Sequence, residues 1–379
     1  MMSPSEKLVV LAAGGTGGHV FPAEALATEM TGRGFKLSLI TDRRGDAYGG
    51  ALGSIETHRV RAGGIAGKSI SALLRSGPEL AFGTLQARFL LKKMRPRAVV
   101  GFGGYASVPT MLAATFGGCK TVIHEQNAVL GRANRLLASR VKRIATSFEG
   151  TRSVPDSAMA KVIQTGMPVR QTLTAVRGTA YPELNDSSEI NILVLGGSQG
   201  ANILSEVIPE AIGRLDADLR ARLSITQQCR PEDLEAARAN YRQLSIKAEL
   251  ESFFDDIPER LAATHLLISR AGASSVAEAM TVGRPAILVP YPHAVDDHQT
   301  FNAHALDDAG GGWLMAQETF TPEALAERLS SLLHTPRVLT RAAACARTAG
   351  RPDAVVRLAD TICELIETNG QSNDGRRAA

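Results

Sequence analysis

Aromatic residues are scarce: one Trp, five Tyr and eleven Phe in 379 residues. Strand-binding nucleic-acid proteins interleave aromatic stacking platforms with basic charge, and this chain has too few aromatics among its cations for that. It has four cysteines, Cys119, Cys229, Cys345 and Cys363, with no C-x-x-C spacing. That excludes a disulfide framework or a cysteine zinc site and fits a reducing compartment. No apolar run approaches 18 residues, and the N-terminus lacks the basic-then-apolar layout of a signal peptide, so a cytosolic protein is expected. A dinucleotide fingerprint is also missing: G-x-G-x-x-G cannot be laid over the first glycine cluster, which removes the phosphate loop from an NAD oxidoreductase reading despite Asp42 after the second apolar run.

That glycine cluster organises what is present. Leu8 to Ala13 reads as a buried parallel strand, Gly14-Gly15-Thr16-Gly17-Gly18-His19 follows, and Pro22 to Ala27 reads as a helix opening with Pro in its first turn. Glycines between a strand and a helix let the backbone approach a ligand and aim N–H groups at it. His19 sits where the helix begins, and a helix N-terminus favours the neutral imidazole, the form able to accept a hydroxyl proton. The bland alternative is a tight turn with a capping histidine. The pattern returns at Ile190 to Leu195, Gly196-Gly197-Ser198-Gln199-Gly200-Ala201 and a helix from Asn202. Two strand, glycine-loop and helix units in halves of similar length predict an α/β protein with two facing Rossmann-like domains, parallel sheets and a cleft between them. The expected boundaries are 1–176 and 190–350 for the domains, 177–189 for a linker, 351–367 for a terminal helix and 368–379 for a disordered tail.

Other segments carry chemistry or mimic it. Ala62 to Ser69 resembles a P-loop, but Glu56 to Arg61 before it is no buried strand, so an NTPase is not supported. Polar residues crowd the end of the strand Thr121 to Asn127. Asn127 is the favoured substrate contact, and His124, Glu125 and Gln126 are as well suited to holding loops. Arg170, beyond Gly166 and Pro168, is placed to reach across a cleft. Gly272 to Ser275 form a small-residue loop at a helix start, suited to a diphosphate, with Glu278 one turn inside to accept ribose hydroxyls, and Gln299 is a plausible sugar-hydroxyl ligand. Asp216-Ala217-Asp218 reads as a solvated face rather than a metal clamp, and no metal or cofactor is expected.

Charge divides the chain: residues 1–170 carry 23 Lys and Arg against 10 Asp and Glu, whereas residues 171–379 carry 19 against 28. The excess peaks between Arg59 and Arg97, with nine cations, one acid and interleaved apolar residues. Lys68, Ile70, Leu73, Leu74, Arg75, Phe82, Lys92 and Lys93 are the candidates for a surface lying on an anionic membrane, against the alternative of a core-facing helix with a basic outer side.

The glycine clusters at 14–19, 103–105 and 196–201, the run His124-Glu125-Gln126-Asn127 and the loop from Arg270 to Glu278 resemble, in order and over nearly the whole chain, the MurG family of GT-B glycosyltransferases. The resemblance implies an inverting, UDP-N-acetylglucosamine-dependent hexosyltransferase. It would move N-acetylglucosamine to the 4-hydroxyl of undecaprenyl-diphospho-N-acetylmuramoyl-pentapeptide, peripherally at the cytoplasmic face of the inner membrane. His19 matches the proposed base. Thr16, Gly17, Gly18, Asn127, Arg170, Ser198 and Gln299 match donor-binding positions, Ala273, Ser274, Ser275 and Glu278 the diphosphate and ribose loop, and Phe254 the uracil neighbourhood. The chain departs from the family pattern at Met167, Ala271 and His298. A nucleotide-sugar epimerase of the same shell and a non-catalytic sugar-lipid binder are the alternatives.

Overall fold

The computed structural model describes residues 7–14, 17–42, 50–62, 70–185, 187–197 and 201–368, with the side chains of 70–76 excepted. Thirteen strands form two sheets among these residues. The first contains β1 (Leu8–Ala12), β2 (Lys36–Thr41), β3 (Glu56–Arg59), β4 (Ala98–Gly101), β5 (Lys120–Glu125), β6 (Arg143–Thr146) and β7 (Val162–Gln164), in the order 3-2-1-4-5-6-7. The second contains β8 (Ile190–Leu195), β9 (Leu223–Gln228), β10 (Lys247–Glu251), β11 (Leu266–Ser269), β12 (Ala286–Leu288) and β13 (Gly312–Leu314), in the order 10-9-8-11-12-13. All their pairings are parallel, with Val9 opposite Leu37 and Ala98, and Leu193 opposite Thr226 and Leu267.

Near-continuous apolar runs become central strands because helices cover both faces of a parallel sheet. In β1, Val9 and Leu11 enter one layer with Leu26 and Met30, while Val10 and Ala12 enter the other with Ala87, Leu91 and Met111. Glu56–Arg59 does form a strand, although its run is neither apolar nor buried: it is the sheet's edge, where only one side needs a partner. The helix after β1 begins at Gly17, five residues before the expected opening at Pro22, and runs to Gly32. Pro22 therefore lies inside it, leaving the Gly18 carbonyl without its usual i+4 donor, and His19 falls within the first turn.

The chain divides into two compact units, Met1–Arg170 with Asp353–Ala379, and Gln171–Pro352. The first crossing precedes Gln171–Val176, a short helix that buries Leu173 and belongs with the second unit rather than with 1–176. Segment 177–189, read from its polarity as a linker, is fastened to that unit. Arg177 donates to the Thr281 and Arg347 carbonyls at 2.6 and 2.8 Å, and the Tyr181 hydroxyl donates to the His265 carbonyl at 2.8 Å. Fully buried Arg284 donates to the carbonyls of Ala180, Leu261, Ala262, Val282 and Gly283, which collects two helix C-termini around one cation. The last helix, Ala354–Glu367, returns to the first unit, where Leu358, Ala359, Ile362 and Ile366 join the layer containing Leu11 and Leu26. Arg33 binds Asp360 at 2.6 Å, and Lys120 Nζ donates to the Ile366 carbonyl at 2.6 Å.

Candidate active site

Both sheets reverse strand order beside their first strand. In the first unit β1 lies between β2 and β4, and in the second β8 lies between β9 and β11. Loops leaving such neighbouring strands diverge to opposite faces and open a crevice at the carboxyl ends, where open α/β sheets bind ligands. The glycine loops sit there: Gly14 after β1, Gly103-Gly104 after β4, Gly196-Gly197 after β8 and Gly272 after β11.

In the first unit, Gly14 is required by a close approach, since a Cβ there would stand 2.7 Å from Ala106 Cβ. Gly104 has a positive φ of 68°, and a Cβ on it would come within 3.3 Å of His19 Cδ2 and 3.4 Å of Nε2, so the imidazole lies against bare backbone. His19 Nδ1 is 2.9 Å from Gln126 Oε1. Gln126 Nε2 is 3.0 Å from His124 Nδ1 and 3.2 Å from the His124 carbonyl, and His124 Nε2 is 3.2 Å from the Gly166 carbonyl. Burial pushes the His124 imidazole down to about 4, so it is neutral near pH 7.

Glu125, whose direct and structural roles the sequence left balanced, organises the loop. One carboxylate oxygen accepts from Asn127 N and Nδ2 at 3.0 and 3.2 Å, the other from Gly131 N and Asn134 Nδ2, both at 2.8 Å. Asn127 is half-buried and shares its amide with Glu125. The Arg170 guanidinium lies 5.2 Å above the ring of Phe21, two positions beyond His19 on the same helix. Gly17 and Gly18 form the start of that helix, and Thr16 lies outside the described residues.

In the second unit, Gly272 caps the helix Ala273–Val282 without any side-chain cap, so a side chain satisfies none of its first N–H groups from the cap position. Ser274, Ser275 and Glu278 are half-exposed around that end, whereas Ala273 is buried against the sheet. Gln299 lies in the first turn of His298–Asp307; its Oε1 accepts from Tyr291 N at 2.9 Å, which directs its amide nitrogen elsewhere. Arg270, quoted in sequence only as part of a motif, turns out to hold this region together. It is buried and donates to the Val289 and Pro290 carbonyls and, at 2.6 Å, to Gln317, with Tyr291 under its guanidinium. Buried Asn302 ties the next helix to the Ala271 carbonyl at 3.1 Å. A cation buried among carbonyls leaves no hydropathy signal; the position directly after a strand was its only mark.

Phe254, expected in the uracil neighbourhood, is not an exposed ring. Its side chain is buried with the Arg260 guanidinium 4.2 Å over the ring, so that face is taken, and the neighbouring Phe253 is the exposed ring. Ser198 lies outside the described residues. Asp216 is a helix N-cap, accepting from Leu219 N at 2.8 Å, and among the described residues no three His, Cys, Asp or Glu cluster as a metal would need.

The basic, apolar segment becomes the helix Ile70–Met94. Gly83, Ala87 and Leu91 form its buried stripe, while Phe82, Leu85 and Phe89 are 48, 65 and 71 % exposed beside exposed Arg88, Lys92 and Lys93. The helix thus faces the core on one side and carries both cations and exposed apolar side chains on the other. Phe116, at the end of the neighbouring helix Gly104–Phe116, is also exposed, and Arg61 lies 5.0 Å over Phe82. Lys68 lies outside the described residues, as do the side chains of Ile70, Leu73, Leu74 and Arg75. No described helix is long and apolar enough to cross a membrane.

Comparison with known proteins adds to this geometry. The glycosyltransferase family 28 N-terminal domain matches residues 9–146 and the C-terminal domain of that family residues 191–358. A UDP-N-acetylglucosamine--N-acetylmuramyl-(pentapeptide) pyrophosphoryl-undecaprenol N-acetylglucosamine transferase of Paramagnetospirillum magneticum is 60 % identical over 365 residues, covering 96 % of this chain and 98 % of that one. The enzyme of the same name from Rhodospirillum rubrum is 58 % identical over 93 % of this chain and 91 % of its own. Among solved structures, the crystal structure of Acinetobacter baumannii MurG superposes with a TM-score of 0.77 at 32 % identity, covering 94 % of this chain and 99 % of that one. The chain belongs to glycosyltransferase family 28, and within it to the MurG enzymes of the GT-B fold.

Proposed function

We propose that the protein transfers N-acetylglucosamine from UDP-N-acetylglucosamine to the 4-hydroxyl of the muramoyl sugar of undecaprenyl-diphospho-N-acetylmuramoyl-pentapeptide, with inversion at the anomeric carbon. The observation that carries the reading is the His19 imidazole: it lies against Gly104 at the switch point of a glycosyltransferase sheet, with Nδ1 bonded and no described residue bonded to Nε2. As the acceptor oxygen forms its bond to the anomeric carbon, its proton passes to Nε2, and the bond from that carbon to the diphosphate breaks with its electron pair leaving on UDP. The helix start at Gly272 to Ser275 supplies N–H groups for the diphosphate, Glu278 accepts from ribose hydroxyls, and Gln299 donates to the sugar through its amide nitrogen. Arg170 adds positive charge for the departing phosphate.

The acceptor is carried in a lipid surface, and the exposed stripe Phe82, Leu85 and Phe89 with its flanking lysines is the part of the first unit suited to dock there. Apolar rings enter the headgroup boundary while cations meet anionic lipid, each contributing about 1 kcal/mol. The protein then works as a peripheral enzyme at the cytoplasmic face of the inner membrane.

The test is transfer of label from UDP-N-acetylglucosamine into a short-chain lipid acceptor by purified protein. Label moving to lipid from this donor and not from UDP-glucose supports the reading. Binding without transfer would leave a sugar-lipid binder, and isomerisation of the free donor would make it an epimerase.

A further inference from the structure

His19 and Gln126 are 107 positions apart in the chain, yet the chain of contacts between them and Gly166 allows only one assignment of hydrogens. It is anchored by two backbone carbonyls, which can only accept. The Gly166 carbonyl requires the hydrogen of neutral His124 to lie on Nε2, leaving a lone pair on Nδ1. The Gln126 nitrogen faces that lone pair and the His124 carbonyl, so both of its hydrogens are used and its amide orientation is set. Gln126 Oε1 is thereby turned to His19, and an amide oxygen only accepts, so His19 carries its hydrogen on Nδ1 and its lone pair on Nε2.

We propose that Gln126 and His124 are positioning residues that lock His19 in the tautomer with Nδ1 protonated, so that Nε2 is the atom receiving the acceptor's proton. This rests on the preceding reading of His19 as the base. A neutral imidazole otherwise exchanges between two tautomers, and the wrong one presents an N–H to the hydroxyl it should deprotonate; the partner of the other nitrogen decides. The network is almost wholly enclosed, since His124 is 0 % and Gln126 2 % exposed, so water does not offer His19 Nδ1 an alternative partner from that side. Glu125, between them in sequence, is committed to Asn127, Gly131 and Asn134.

The direct measurement is the tautomer, read from the imidazole nitrogen shifts of uniformly labelled protein, with the His19 signals identified by their loss in His19→Gln. A protonated Nδ1 and a bare Nε2 are expected; the reverse, or an equal mixture, overturns the proposal without needing any variant of Gln126. In parallel, Gln126→Met keeps the length and removes the acceptor, and is expected to lower kcat about 10- to 100-fold with donor KM within about twofold. Gln126→Glu keeps an oxygen facing His19 and loses the amide donor to His124, so it regains part of kcat. Loss that is equal in the two variants, or an unchanged kcat in Gln126→Met, would leave Gln126 a loop-holding residue. An undiminished kcat in His19→Ala is a different result, which removes the base itself.

Discussion

The two units are built differently at the same place in the same fold. At the crevice of the first, side chains are wired to side chains: His19 to Gln126, Gln126 to His124, and Glu125 to two asparagines. At the crevice of the second, the backbone does most of the work: an uncapped helix start at Gly272, and a buried Arg270 that grips carbonyls of the adjoining loop. The difference fits what the proposed function asks of each. Moving a proton demands one lone pair at one atom, which only oriented side chains define, whereas a diphosphate is bound by several N–H groups and a helix dipole. Charge runs opposite to the naive expectation. The half expected to hold the anionic donor is the acidic one, so its attraction is local, while the basic excess of the other half gathers near the exposed apolar stripe.

The comparison breaks most readily at His19. His19→Ala is expected to lower kcat about 10²- to 10⁴-fold with little change in donor KM; an equal change in both in steady-state kinetics would make the first crevice a binding site like the second. Glu125→Ala strands the donors of half-buried Asn127 and Gly131 and of buried Asn134, and should cost about 2–4 kcal/mol of stability in denaturant unfolding. A loss near zero would mean the loop is not held by its carboxylate.

Acid should reach the first unit through His124. Its folded value near 4 lies below the ordinary 6.5, so the unfolded chain binds the proton more readily. The contribution of the neutral imidazole is full above about pH 6.5 and is lost as pH falls toward 4. Thermal unfolding followed over that window should show a falling Tm that flattens in His124→Asn, and parallel curves would remove His124 from the account. Reversing charge in Lys92→Glu/Lys93→Glu should weaken binding to anionic vesicles about 30-fold or more, at about 1 kcal/mol per cation removed, and leave neutral vesicles unaffected. Unchanged sedimentation with vesicles would return the helix to an ordinary solvated face. Smallest is Glu278→Ala, expected to raise donor KM about tenfold with kcat nearly intact, the signature of ground-state binding.

Much of this was legible in the chain itself. Leu8 to Ala13, Ala98 to Phe102 and Ile190 to Leu195 announce buried parallel strands because apolar runs of that length have few other uses, and glycines after them mark the ligand end of the sheet. Glu56–Arg59 is no buried strand, as its charged run implies, and its pairing at the sheet edge leaves no hydropathy signal. The anchoring of segment 177–189 does not show in its polar composition, because the partners of Tyr181 and Arg177 lie 84 and more than 100 positions away. Phe253 and Phe254 look alike in sequence, and only Arg260, stacked on the second, separates them.

By itself the sequence determined the repeated strand, glycine-loop and helix plan and the family, which are local patterns of hydropathy and backbone freedom. Tertiary structure alone decided which apolar residues between 77 and 94 face outward, that the last helix packs in the first unit, and which side chain meets Nδ1 of His19. Each of these depends on which distant partner fills a face or accepts a hydrogen bond. A periodic pattern reports that a surface is buried, and packing chooses what buries it.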